Sequence, residues 1–295
     1  MAQLDYQAPS SVDDAVRALA AAPAAKVLAG GTDLIVQMRS GRAKPGVIID
    51  LKRIPGALGV RREADGAFVI GAATPGVGLG ENAALAAAWP GVVEAANLIG
   101  STQIQGRASL GGNLCNASPA ADSVPALVAA RAICVIAGPG GRREAPVEAI
   151  QAGPGQTTLK PGEFVLEFRL PPRPARASDA YLRLIPRTEM DIAVVGAGVS
   201  LTLDGAGTVT EAHVSLGAVA PTTLLVAAAG AALIGTKLEE KALAALDTAA
   251  RAACNPISDK RGTVEYRTKI AGVLLKRAAL IARDRIKGIE HRGHR

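Results

Sequence analysis

The chain has 295 residues, of which 49% are hydrophobic and only 2% aromatic, and its formal net charge is +7. This length suits two or three domains, and the scarcity of flat rings argues against a protein that stacks the bases of single-stranded nucleic acid. The three cysteines do not form a C-x-x-C pair, which argues against a zinc site or an iron–sulfur cluster held by this chain alone.

The same features bear on location and partners. The N-terminus lacks the pattern of a signal peptide, and no apolar run approaches the roughly 20 residues that span a bilayer. We therefore expect a cytoplasmic protein without a membrane span, in a reducing compartment that leaves the cysteines free. The positive charge is concentrated toward the C-terminus, where it indicates a solvated helix face or an acidic partner subunit. No nucleic-acid-binding motif is present, so we expect no nucleic-acid partner.

The first 56 residues predict a small α+β unit. Ser11 can cap a helix that continues to Ala22 and ends at Pro23. Short apolar runs at 26–29 and 47–51 predict strands.

A first glycine motif, residues 27–34, reads Val-Leu-Ala-Gly-Gly-Thr-Asp-Leu and follows the first of these strands. Thr32 or Asp33 would cap a helix from Leu34 to Met38, and Gly41 would close it. Glycine tolerates positive φ and allows a close backbone approach to a ligand.

Residues 57–175 predict a second unit. Its predicted strands are 68–72, 133–137 and 164–170, and its predicted helices are 82–88, 92–98 and 119–131. The proline-rich segment 171–176 cannot join a sheet interior, so we expect a domain boundary there.

A second glycine motif, residues 108–113, reads Ala-Ser-Leu-Gly-Gly-Asn. We expect a tight turn at Gly111 and Gly112 and a helix that starts at Ser118 and Pro119. A glycine turn that leads to a helix start suits a phosphate-bearing ligand, because free N–H groups gather there. Taken alone, each motif is equally explained as a turn followed by a capped helix.

The remainder predicts three strands followed by helices, which is an α+β pattern. The strands are 180–186, 192–203 and 209–219, and the helices are 223–234, 238–253 and 263–287.

Other catalytic motifs are not supported. Residues 194–201 imitate a dinucleotide fingerprint, but Leu201 stands at the third glycine position and the segment continues as a strand. His291 and His294 lie in a basic tail, which leaves His213 on a predicted strand and gives little support to a histidine-based triad. If the chain performs chemistry, we expect a cofactor to supply it.

Together, the two glycine motifs resemble those of the flavin subunit of the molybdenum hydroxylase family, which includes xanthine dehydrogenase and aerobic carbon monoxide dehydrogenase. The resemblance covers essentially the whole chain. It implies an α+β protein with a two-part FAD-binding domain of the PCMH/vanillyl-alcohol-oxidase-like type at 1–175, with subdomains at about 1–56 and 57–175. It also implies a C-terminal α+β domain at 176–295, of the CO dehydrogenase flavoprotein type, with a three-stranded antiparallel sheet and helices.

The resemblance also implies an FAD site, with no catalytic or metal-binding residue on this chain. The residues that match FAD contacts are Val27, Leu28, Ala29, Gly30, Gly31, Thr32, Asp33, Leu34, Ile99, Gly100, Ser109, Gly111, Gly112, Asn113, Cys115, Asp122, Val165 and Arg183. Both glycine motifs would contact the pyrophosphate. Asp122 would bond the adenosine ribose and Cys115 would line the adenine side without a redox role. Ile99, Gly100 and Val165 would lie beside the isoalloxazine, as would Arg183, where the family usually has Lys.

The implied function is that of an FAD-binding oxidoreductase subunit. In this family a large molybdopterin subunit oxidises the substrate and a small subunit with [2Fe–2S] clusters relays electrons. The flavin then passes the electrons to an external acceptor, and the assembly is a dimer of heterotrimers. Two alternatives stay open: a self-contained FAD-dependent oxidoreductase of the same flavin fold, and a basic non-enzymatic binding protein.

Overall fold

The computed structural model describes residues 4–188 and 190–289; the tail that contains His291 and His294 lies outside them. The chain begins with a parallel sheet of order β1-β3-β2. Its elements in chain order are β1 (Asp5–Gln7), α1 (Val12–Ala21), β2 (Lys26–Leu28), α2 (Leu34–Arg39) and β3 (Val47–Asp50). The predicted cap of α1 is confirmed, since the Ser11 Oγ accepts from the Asp14 amide at 3.1 Å.

The second sheet is antiparallel and has five strands in the order β4-β5-β10-β6-β7. These strands are β4 (Val60–Arg62), β5 (Phe68–Gly71), β6 (Ile133–Gly138), β7 (Gly141–Pro146) and β10 (Phe164–Leu170). A small hairpin of β8 (Gln151–Gly153) and β9 (Gln156–Thr157) precedes the last of them. The sequence left β7 unassigned, because its exposed, charged residues lack a strong apolar alternation.

Six short helices connect β5 to β6. They are α3 (Gly76–Gly80), α4 (Ala83–Ala88), α5 (Pro90–Ala96), α6 (Thr102–Gln105), α7 (Leu110–Cys115) and α8 (Ser123–Ala129).

Two expectations around the second glycine motif are wrong. Gly111 and Gly112 do not form a turn: they lie in the first turn of α7, because the Ser109 Oγ accepts from the Gly112 amide at 3.1 Å and caps that helix. The next helix begins at Ser123, not near Pro119, since Ser118 closes a local turn by accepting from the Ala120 amide at 3.2 Å.

The third sheet is antiparallel, with four strands in the order β11-β12-β13-β14. The remaining elements are β11 (Ala177–Leu184), β12 (Val195–Leu203), β13 (Val209–Gly217), β14 (Leu224–Leu225), α9 (Ala227–Ala231), α10 (Glu240–Ala253) and α11 (Val264–Ile286). The expected three-stranded sheet thus gains β14, and the helix expected at 223–234 is replaced by β14 and α9. The physical reason is that the edge of β13 offers unpaired backbone groups, and Leu224 and Leu225 pair with it.

Three apolar cores hold these layers together. One lies between the parallel sheet and the five-stranded sheet, and it includes both Ile49 of β3 and Phe164 of β10. The second packs α4, α5 and α8 on the five-stranded sheet, and the third packs α10 and α11 on the four-stranded sheet. Tyr181 of β11 is 2% exposed and belongs to the second core, so the C-terminal half contributes to the core of the N-terminal half. Within the described ranges, no helix is both long enough and apolar enough to cross a membrane.

Candidate functional site

The two glycine motifs meet at one cleft between the parallel sheet and α7. The cleft contains about 960 Å³ of empty space, part of which is open to solvent. At the meeting point the chains are so close that a Cβ on Gly30 would lie 1.8 Å from the Arg107 carbonyl oxygen. Gly30 is therefore required by the contact between the two halves of the cleft.

Most of the residues proposed from sequence line this cleft. They are Val27, Leu28, Ala29, Gly30, Gly31, Thr32, Asp33, Leu34, Ile99, Ser109, Gly111, Gly112, Asn113, Cys115 and Val165. Gly100, Asp122 and Arg183 are not among the lining residues. Gly100 adjoins Ile99 with φ +67°, where a Cβ would lie 2.8 Å from the Ile104 Cβ.

The first motif presents free backbone donors to the cleft. Within the described part of the chain, the amides of residues 30–33 donate no hydrogen bond to protein. Asp33 occupies the N-cap position of α2 without a side-chain cap bond, and Gly41 follows that helix with φ +73°. Backbone N–H groups left free at such a turn form a binding place for an anionic group.

At Gly111, Gly112 and Asn113 the backbone amides of the second motif donate to protein acceptors. The Gly111 amide donates to the Ala72 carbonyl at 3.0 Å, and the Asn113 amide donates to the Ser109 carbonyl at 2.9 Å. The Asn113 side chain in turn accepts from the Ser123 amide at 3.0 Å and from its hydroxyl at 2.7 Å. These bonds fix the shape of the cleft wall, whereas none of the amides of residues 30–33 has a protein acceptor in the described structure.

The individual FAD contacts expected from the sequence did not include several lining residues, although Ala108 belongs to the second glycine motif: Gln37, Leu51, Ala72, Ala108, Asn116, Leu159, Glu163 and Phe164. Gln37 and Asn116 join the two sides, since the Gln37 Nε2 donates to the Asn116 Oδ1 at 2.8 Å. The available signal was helical spacing, because Gln37 follows Leu34 by three residues and so lies on the same face of α2.

Two family models match this chain and together cover most of it. The family described as FAD binding domain in molybdopterin dehydrogenase matches residues 2–173, and the one described as CO dehydrogenase flavoprotein C-terminal domain matches residues 180–282. This chain belongs to the family of FAD-binding medium subunits of the carbon monoxide and xanthine dehydrogenases. FAD is therefore the cofactor of this flavoprotein, which is an oxidoreductase subunit of the molybdenum hydroxylase type.

Individual relatives extend over nearly the whole flavoprotein. The carbon monoxide dehydrogenase medium chain of Hydrogenophaga pseudoflava is 35% identical over 94% of this chain and 96% of its own. The putative xanthine dehydrogenase FAD-binding subunit of Escherichia coli K12 is 30% identical over 92% of this chain and 93% of its own. A solved structure of reconstituted CO dehydrogenase from Oligotropha carboxidovorans is similar, with a TM-score of 0.91 and 37% sequence identity. The match covers 96% of this chain and 98% of the chain in that structure.

The cleft offers a diphosphate the dipoles of amide and hydroxyl groups and not the positive charge of Lys or Arg side chains. The charged residues that line it are Asp33 and Glu163. Glu163 is held by Arg143, with both contacts at 2.8 Å, and burial raises the pKa of Asp33. Since no Lys or Arg lines the described cleft, amide and hydroxyl donors must meet the charge of the diphosphate, and the Asp33 carboxylate would repel it.

Cys115 suits the apolar role that the resemblance gives it. Burial raises the pKa of this thiol to about 12, so it stays protonated at neutral pH. Among the described residues, no group of three or more His, Cys, Asp and Glu side chains could hold a metal ion.

Asp122 and Arg183, which are not among the residues that line the cleft, contact each other. The Arg183 Nη1 donates to the Asp122 Oδ2 at 3.0 Å, and the Tyr181 hydroxyl donates to Oδ1 at 3.4 Å. Both charged side chains are largely buried, at 6% exposed for Arg183 and 11% for Asp122. The expected roles of Asp122 at the adenosine ribose and of Arg183 at the flavin ring stay predictions; the structure adds that the two side chains pair with each other.

Proposed function

We propose that this flavoprotein carries electrons between the [2Fe–2S] clusters of a small partner subunit and an external acceptor. In this proposal a large molybdopterin subunit oxidises the substrate, and the complete assembly is a dimer of heterotrimers. The observation that carries the proposal is the meeting of both glycine motifs at one cleft, in a chain that matches medium chains of carbon monoxide dehydrogenase along nearly its whole length. The cytoplasmic location stays a prediction.

The FAD contacts predicted from sequence remain proposals, and the geometry suggests how they divide. The free amides of residues 30–33 would hold the diphosphate, together with the Thr32 hydroxyl. The second motif would form the opposite wall, shaped by its own hydrogen bonds. Ile99 and Val165 would cover the flavin ring with apolar surface.

Bound FAD supplies the chemistry, because a flavin takes up electrons singly and releases them in pairs. The residues of the chain hold it, orient it and exclude water from one side of it. We further propose a domain boundary between residues 175 and 176, which lies between the segments matched by the two families.

The test starts from a visible absorption spectrum of the protein purified from its native host with its partners retained. A flavin spectrum overlaid with iron–sulfur absorption, together with copurifying large and small subunits, is the expected result. The purified chain, loaded with FAD, is then mixed anaerobically with the pre-reduced [2Fe–2S] subunit. Flavin absorption should bleach as the clusters are reoxidised.

The rival functions give other outcomes. A flavin spectrum without partners, combined with turnover of a substrate by this chain alone, would favour the self-contained oxidoreductase. A colourless protein that takes up no added FAD and binds polyanions with steep salt dependence would favour the basic binding protein.

A further inference from the structure

Lys52 lies behind the first glycine motif, and its side-chain ammonium makes two hydrogen bonds. Its Nζ donates to the Ala29 carbonyl at 2.9 Å and to the Asp50 Oδ1 at 2.8 Å. The β2–β3 register explains the placement: Leu28 pairs with Asp50, so the residues that follow each strand are also neighbours. Within the described residues, Lys52 is the one donor to the Ala29 carbonyl.

Asp50 anchors the lysine. Its side chain is 7% exposed. It accepts from the Tyr6 hydroxyl at 2.6 Å and from the Lys52 amide at 2.9 Å, in addition to the Lys52 ammonium. A buried carboxylate with three donors is held firmly, and it therefore fixes the position of the Lys52 ammonium.

The Ala29 carbonyl and the Gly30 N–H belong to the same peptide plane. All described peptide bonds are trans, and in a trans peptide the C=O and N–H bonds point in opposite directions. A carbonyl held on the Asp50 side therefore turns the Gly30 N–H away from Asp50. Gly30 lines the cleft, and its amide has no protein acceptor in the described structure.

We propose that Lys52 is a positioning residue for the cofactor: by holding the Ala29 carbonyl, it aims the Gly30 N–H at the FAD diphosphate. This inference rests on the proposed placement of the diphosphate at the first motif. Lys52 acts through the peptide and not by contact, which agrees with its absence from the residues that line the cleft.

The test measures binding of three ligands to the full-length chain freed of flavin: FAD, ADP and riboflavin. ADP carries the diphosphate without the flavin ring, and riboflavin carries the ring without the diphosphate. In Lys52→Met we expect FAD and ADP to bind about tenfold more weakly, the size of a lost hydrogen bond to a charged group. Riboflavin should bind within about twofold of the parent, since the ring lies elsewhere.

Three further variants separate positioning from general stability. Lys52→Arg keeps a donor for both acceptors and should restore most of the ADP affinity. Tyr6→Phe removes a hydrogen bond of Asp50 without touching Ala29, and should leave ADP binding unchanged. Lys26→Met removes an exposed lysine from β2, at the other end of that strand, and should also leave ADP binding unchanged.

Two results would overturn the inference alone. The first is that Lys52→Met binds ADP with the affinity of the parent. The second is that both Lys52→Met and Tyr6→Phe weaken the binding of FAD, ADP and riboflavin equally, which would mean that Lys52 only stabilises the fold. A parent chain that binds riboflavin and FAD but not ADP would instead overturn the placement of the diphosphate, and the inference with it.

Discussion

At the scale of single residues, Asp122 shows how one buried cation controls the charge of an acid. Burial raises the pKa of Asp122 from 3.8 to about 6, and the charge and hydrogen bond of Arg183, with the bond from Tyr181, limit the rise. The folded pKa lies above the unfolded value. The folded state therefore holds this proton more tightly than the unfolded state. The resulting contribution to stability is fully present below pH 3.8 and is lost as the pH rises through about 6.

Arg183→Gln should extend this loss of stability to higher pH. Without the guanidinium the pKa of Asp122 rises further, so the deficit in unfolding free energy relative to the parent should grow between about pH 5 and about pH 8. We expect this deficit in unfolding free energy to grow by about 1–2 kcal/mol over that range, as measured by urea unfolding at a series of pH values. Arg187→Gln, which alters an exposed pair with Asp191, is the control and should show no such trend. A deficit that is constant with pH would contradict the coupling of Arg183 to Asp122.

The sequence identified both residues but not their relation. Asp122 and Arg183 are 61 positions apart, and their pairing depends on how β11 packs beside α8, which no local pattern encodes. Their roles at the adenosine ribose and at the flavin ring, carried over from the family, stay predictions. Residues of the first motif were predictable because a strand, a glycine turn and a helix follow each other within eight positions.

At the scale of elements, α7 contains two adjacent glycines with different surroundings. A Cβ on Gly111 would lie 2.5 Å from the Ala72 carbonyl oxygen, whereas a Cβ on Gly112 would meet only the Ser109 Oγ at 3.2 Å. Gly111→Ala should therefore force α7 away from β5 and lower the unfolding free energy by about 1–3 kcal/mol, with reduced FAD retention. Gly112→Ala is the matched control, and it should change stability by less than about 1 kcal/mol because alanine favours the helix. The measurements are urea unfolding and the flavin content of both variants. An equal loss of unfolding free energy in the two variants would contradict the packing argument.

Elements with strong local signals were predictable, and those made by tertiary contacts were not. The helix α11 was expected at 263–287 and is found at Val264–Ile286, because a helix of this length shows a clear helical pattern in the sequence; the structure adds that Thr263 caps it. In contrast, α6 has four residues and β14 has two, which is too short for any hydrophobic period. Gly111 was expected in a tight turn, yet it is not among the residues with positive φ; its requirement is space beside Ala72.

At the scale of the whole molecule, α5 and β11 carry part of the contact between the two halves of the chain, and α8 packs on β12 and β13 as well. The buried Asp179 carboxylate accepts from the Val92 amide at 3.2 Å and from the Arg173 Nη2 at 3.0 Å. Arg285 of α11 donates to the Asp179 carbonyl at 2.7 Å and pairs with Glu94 of α5. The core shared through Tyr181 and these polar contacts hold β11, and with it Arg183, in a fixed position relative to α8.

Arg285→Ala should loosen both sides of this contact at once. The substitution removes the donor that joins Glu94 to the Asp179 carbonyl, so we expect faster hydrogen exchange at both 90–96 and 177–184 and a loss of about 1–3 kcal/mol of unfolding free energy. Arg251→Ala is the control, because Arg251 pairs with Asp247 within α10 and should alter exchange in that helix alone. If the exchange of 90–96 stayed at the parent rate while only the end of α11 became faster, Arg285 would be a surface residue of its own helix and not a link between the halves. Faster exchange on both sides would mean that Arg285 links the two halves of the chain through α5 and β11.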